Sequence, residues 1–106
     1  MKKKIYVRLA THSGYKFEDA IVYFEYSDYG VAITRAEWQS RYHITDIRTG
    51  VGAGKSFRLL REAREFLEDN LDEFTDWYLK LEKIRKLESY DKLVEEKEAH
   101  INAKRP

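Results

Sequence analysis

The chain has 106 residues, enough for one domain with a modest core and too short for two. Apolar residues make up 42% and charged residues 37%, which excludes both a disordered chain and a membrane-embedded one. A net charge of +1 gives no global pull toward nucleic acid or anionic lipid, and the lack of cysteine excludes disulfides, thiolate zinc sites and cysteine nucleophiles together. No apolar run is long enough to span a bilayer. Lys2, Lys3 and Lys4 look like the start of a signal peptide, but Arg8 and His12 interrupt the apolar run that such a peptide needs, so the expected location is cytoplasmic.

In chain order, residues 3–10 alternate cleanly, with Ile5, Val7 and Leu9 on one face and Lys4, Tyr6 and Arg8 on the other; this predicts a half-buried strand. Residues 11–19, with Ser13-Gly14 and several charges, read as a loop from which Tyr15 and Phe17 fold back over an edge. A second strand is predicted over 20–27, a turn at Asp28-Tyr29-Gly30, a third strand over 31–38 and a further turn at Gln39-Ser40-Arg41. The fourth strand covers 42–48, and 51–55 adds either a short fifth strand or a loop. From Phe57 the pattern is helical. Leu60, Ala63, Phe66 or Leu67, Leu71 and Phe74 form one apolar stripe to lie across the sheet, and a break is expected near Asn70.

A second helix is predicted over about 72–100. Phe74, Trp77, Leu81 and Ile84 follow the spacing of a packing seam, which then slips at Leu87 and Tyr90. Glu95 to Glu98 and the last five residues are expected to project into solvent. The reading is therefore α+β: an antiparallel meander of four strands, five if 51–55 pairs, packed by one helix and followed by a long C-terminal helix (ββββαα). Residues 1–72 hold the sheet and first helix, and 73–106 the second helix, in one domain overall. The layout is similar in topology to small sheet-plus-helix domains that bind single strands, a likeness that transfers no residue.

Thr49-Gly50-Val51-Gly52-Ala53-Gly54-Lys55-Ser56 resembles the phosphate-binding loop of P-loop NTPases, G-x-x-x-x-G-K-[ST], at Gly54, Lys55 and Ser56, with Thr49 at the first glycine position. In that family the lysine reaches the outer phosphates and the hydroxyl holds magnesium. Three features oppose an NTPase. No strand comes after the helix to build a parallel sheet, the upstream strands read as hairpins, and no aspartate-bearing strand is present to position magnesium. Glycine-softened extended chain with Ser56 as helix N-cap accounts for the same letters.

Arg48, Lys55, Arg58, Arg61 and Arg64 crowd this loop and the expected first turns of the helix, a candidate anion or nucleic-acid contact beside free N–H groups. Tyr6, Arg8 and Tyr23 are expected on an open sheet face, with Glu25, Arg35, His43 and Thr45 around them. Rings interleaved with cations there suit bases or a protein surface. Leu87, Tyr90, Val94 and Ile101 form a stripe that a monomer would leave exposed, a candidate for homodimerisation through the C-terminal helix. His12, His43 and His100 sit on separate elements without metal-ligand spacing, and no Ser/His/Asp set assembles; no metal, cofactor or catalytic residue is assigned, and enzyme activity is not expected. The functional expectation is a small non-catalytic interaction protein with a macromolecular, foremost a protein, partner, similar in style to accessory and inhibitor proteins of phages and mobile elements. The alternative is a nucleic-acid-binding module.

Overall fold

The computed structural model describes residues 3–74 and 89–104. Five strands, β1 (Lys4–Thr11), β2 (Gly14–Tyr26), β3 (Val31–Arg35), β4 (Tyr42–Asp46) and β5 (Gly52–Phe57), pair antiparallel in chain order. Helices α1 (Leu60–Asp69), α2 (Leu71–Phe74) and α3 (Tyr90–Lys104) come next. The α+β meander thus has its fifth strand, and β5 is built from the P-loop-like text. Ser56 pairs with His43 in that strand, three residues before the Leu59 N-cap of α1, so it caps nothing; its Oγ accepts a hydrogen bond from Arg41 Nε at 2.8 Å.

Two strand boundaries differ from expectation. The 11–19 loop does not exist: Thr11 and Gly14 face each other across a tight turn, and β2 runs on from Gly14. Tyr15, Phe17 and Asp19 point to one face of that strand, while Lys16 and Glu18 point to the other, so its charges lie along a ladder edge. The third strand stops at Arg35, and residues 36–41 form a loop instead of carrying the strand to Trp38.

The two faces of the sheet carry different residue sizes, and this bends it. Toward the helices stand Phe24, Tyr26, Val31, Ile33, Tyr42 and Ile44; on the inner face stand Ala20, Val22, Ala32, Thr34, Ala36 and Thr45. Small residues inside let the sheet curl into a half-barrel until Val51 reaches Arg8 of β1, where Arg8 N–H donates to Gly50 O at 2.7 Å. Gly50 permits this contact twice over. Its φ is +77°, and a Cβ there would lie 2.8 Å from the Tyr6 carbonyl oxygen. β3 is buried on both faces from Val31 to Thr34.

The main core joins Val31, Ile33, Ile44 and Val51 to Ala63 and Leu67 of α1, Phe74 of α2 and Leu93 of α3. The predicted helical stripe is the packed one, with Leu60, Phe66 and Leu71 half-buried beside it. The expected break falls at Asn70, whose amide Nδ2 donates to Phe66 O at 2.8 Å and whose carbonyl accepts from Glu73 N–H. Of the predicted second-helix seam, Trp77, Leu81, Ile84 and Leu87 lie outside the described residues.

The C-terminal helix docks through residues 90–101, while residues 102–104 are exposed as expected. In α3, Leu93 is fully buried, Tyr90 packs against the core, and Val94 and Ile101 are half-buried. Lys97 is 5% exposed, its ammonium donating to Ile47 O, and Glu96 accepts from Arg8 Nη1 at 3.0 Å and from Tyr15 OH at 2.5 Å. His100 lies stacked on Phe17 (4.8 Å) and edge-on to Tyr6 (4.6 Å). Glu96 and Lys97 thus anchor the helix, while Glu95 and Glu98 stay exposed as expected, because the β1–β2 ladder offers a cation and three rings on one side of it. None of the described helices is long and apolar enough to cross a membrane.

Candidate interaction surface

Docking of α3 removes Tyr6 and Arg8 from solvent contact as an open pair: Tyr6 is covered by His100, and the Arg8 guanidinium lies between Glu96 and the Tyr15 ring, 3.3 Å from its centroid. Thr45, also expected on an open face, is buried and hydrogen-bonded to Thr34. Tyr23 stays on the helix-side face with Tyr6 but stands apart from it, where the sheet is bulged between Val22 and Phe24, and its ring packs on Tyr42 of β4. The basic residues are divided as well. Arg48 sits exposed in the β4–β5 turn. Lys55, Arg58 and Arg61 lie at the far end of β5 and the start of α1, and no glycine loop curls between the two groups. Lys55 Nζ stands 4.6 Å over the Phe66 ring, and Arg61 pairs with Glu65 at 3.9 Å.

What the fold does assemble is a row of rings with cations at its ends. Tyr23 and Tyr42 meet edge-to-face at 5.1 Å; Tyr42 stands opposite Phe57 in the β4–β5 ladder; Phe57 and Phe66 lie 5.3 Å apart. Arg35 of β3 closes one end, 5.7 and 5.5 Å from the Tyr23 and Tyr42 centroids, and Lys55 closes the other. The Tyr23 hydroxyl accepts from Arg35 Nη2 at 2.9 Å and is the first cause that holds the guanidinium's pKa above its ordinary value.

Arg35 also clamps the loop that begins after it. Its Nη1 donates to Gln39 O at 2.8 Å, Gln39 N–H donates to Ala36 O at 3.0 Å, and Ala36 N–H donates to Gln39 Oε1 at 3.0 Å. The loop so fixed displays Trp38, which is 64% exposed, the most exposed of the large apolar side chains among the described residues. Sequence reasoning placed Trp38 at the end of a strand and assigned it no role. The polar run Glu37-Trp38-Gln39-Ser40 was the signal at hand, since an indole among loop residues has no strand face to bury. Arg41 and Tyr42 were likewise left out of the predicted site, whereas Arg35 was expected beside Tyr23 on the sheet face and is found there.

Elsewhere, Asp46 is 3% exposed and accepts from Thr49 N–H (3.0 Å) and Thr49 Oγ1 (2.6 Å), which shapes the β4–β5 turn. Burial raises its pKa, partly offset by those hydrogen bonds and the charges of Arg48 and Lys97; burial lowers that of Lys97, partly offset by Asp46. Among the described residues no three His, Asp or Glu side chains come together as a metal site. No protein-family model, curated protein or solved structure matches this chain.

Proposed function

We propose that this chain is a small non-catalytic interaction protein that binds a protein partner through the 36–41 loop, with Trp38 as the central contact and Tyr23, Arg35, Arg41 and Tyr42 around it. The observation that carries the reading is the exposed indole on a loop fixed by hydrogen bonds to Arg35 and within itself. A large apolar group on a pre-ordered loop loses little entropy on docking, and Trp, Tyr and Arg dominate interface energetics. Such a surface, with no chemistry of its own, also meets what an accessory or inhibitor protein of a phage or mobile element needs. A cysteine-free chain needs no oxidising compartment, and the cytoplasm is the proposed location.

Nucleic-acid binding is the second reading, favoured by the exposed cations Arg41, Lys55, Arg58 and Arg61 on one end of the sheet. Against it, the rings of the row already pack on one another and on cations, leaving fewer free faces for bases. Self-association through α3 has less surface to use, because Tyr90, Val94 and Ile101 are engaged or half-buried within the domain.

A photoreactive phenylalanine at position 38 tests the choice inside cells. The expected result is a discrete adduct with one protein, absent when the same group replaces Glu62 on α1. Adducts with nucleic acid, together with salt-sensitive binding of labelled DNA that is lost in Arg58→Ala/Arg61→Ala, would put the second reading first.

A further inference from the structure

We propose that the partner docks a basic side chain, with arginine the best fit, into an acidic groove beside Trp38; this names the partner chemistry of the Trp38 surface and rests on that reading. The groove comes from a mismatch in strand length. β3 stops at Arg35, opposite Ile21, while β2 extends back to Gly14. Continuing that register past the end of β3 sets Glu37 beside Asp19 and Trp38 beside Glu18, with loop there in place of a strand. A cleft of about 250 Å³ opens at that place, and Lys4, Glu18, Asp19, Ile21, Glu37 and Trp38 are among its walls.

Charge and hydrogen bonding in the cleft both call for a cation. Three carboxylates line it against one ammonium, that of Lys4. Like charges brought together by two elements repel, and ionised carboxylates can only accept. Glu18 Oε2 is shielded from solvent yet has no hydrogen-bond partner among the described residues; the Lys16 ammonium stands 3.9 Å from it, outside hydrogen-bond range. Arg35 does not serve the cleft, since its two Nη atoms donate to Gln39 O and Tyr23 OH. A guanidinium brings five donors in one plane, so its edge can bridge two carboxylates while its face lies on the exposed Trp38 indole. The cleft exceeds the roughly 150 Å³ of a cavity that takes benzene, so a long side chain fits. A phosphate or carboxylate of a partner would meet charge of the wrong sign.

Amide NMR of the full chain, titrated with the blocked peptide acetyl-Gly-Arg-Gly-amide, tests the groove. The citrulline peptide keeps the shape without the charge, and the lysine peptide keeps the charge without the planar fork. The arginine peptide is expected to give saturable shifts at Glu18, Asp19, Glu37 and the Trp38 indole N–H, weakened by sodium chloride. Its affinity is expected to fall about tenfold with citrulline, and about tenfold in Asp19→Asn/Glu37→Gln, both exposed positions. Binding by either cation supports the site, and a preference for arginine assigns the fork. Equal binding of the citrulline peptide, or no saturation with either cation, would overturn it. The cross-link from position 38 separates this inference from the reading beneath it. A protein adduct formed as well in Asp19→Asn/Glu37→Gln as in the unsubstituted background would overturn the groove and leave Trp38 as the contact. No adduct in either would overturn the Trp38 reading, with the peptide titration still deciding the groove.

Discussion

Single positions decide how this sheet closes. Gly50 combines left-handed backbone with a contact to β1 that has no room for a methyl group. Gly50→Ala is expected to lose about 1–3 kcal/mol from the backbone conformation alone, and more from the overlap with Tyr6 O, in urea unfolding. Gly52→Ala, whose added Cβ meets only Ile44 O at 3.8 Å, is expected to stay within about 0.5 kcal/mol of wild type. Asp46 makes a pH prediction with a definite sign. Its pKa is raised in the folded state, so its protonated form contributes stability that is full below the ordinary value of 3.8 and is lost as pH rises through the folded value. Against Asp46→Asn, which cannot titrate, wild type is expected to lose relative stability from acid toward neutral pH; a constant difference between the two would contradict the burial of a charged carboxyl there.

At the scale of elements, the third helix tests whether the C-terminal segment belongs to the domain. Leu93→Ala is expected to cost about 2–5 kcal/mol, because a sealed side chain leaves a cavity between α3 and the sheet, whereas truncating a projecting helix would cost little. Strands, order and the α1 stripe were legible in the sequence, since alternation and 3.6-residue spacing report directly on which face is buried. The orientation of α3 was not. Its buried positions include Leu93 and Lys97, one turn apart, and a lysine reads as solvent-facing in any hydrophobic pattern; here the Ile47 carbonyl and the nearby charge of Asp46 decide its burial. The start of β2 escaped for a related reason. Lys16, Glu18 and Asp19 read as loop by composition, yet they lie with Tyr15 and Phe17 along a regular ladder. Of the candidate site, Tyr23 and Lys55 were visible as residue types. Their assembly with Arg35, Tyr42 and Phe66 depended on a bulge and on cross-strand register, which no local pattern encodes.

For the whole molecule, one curled sheet separates two surfaces. The helix side carries the core and, at its open end, the ring row with its cations. The inner side carries small residues and a cavity lined by Thr34, Gln39, His43 and Thr45, and the 36–41 loop joins the two by sending Gln39 inward and leaving Trp38 exposed. Arg35 is the hinge of this arrangement, because it holds Tyr23 with one nitrogen and Gln39 O with another. The central claim is that this loop is built to present Trp38 to a partner, and the most direct measurement sets Trp38→Ala beside wild type for both unfolding free energy and capture of the cross-linked protein. An exposed side chain contributes little to the fold, so stability is expected within about 0.5 kcal/mol of wild type, while affinity falls by roughly thirtyfold or more. Unchanged capture by Trp38→Ala, or a loss of capture that tracks a loss of folding, would contradict the account.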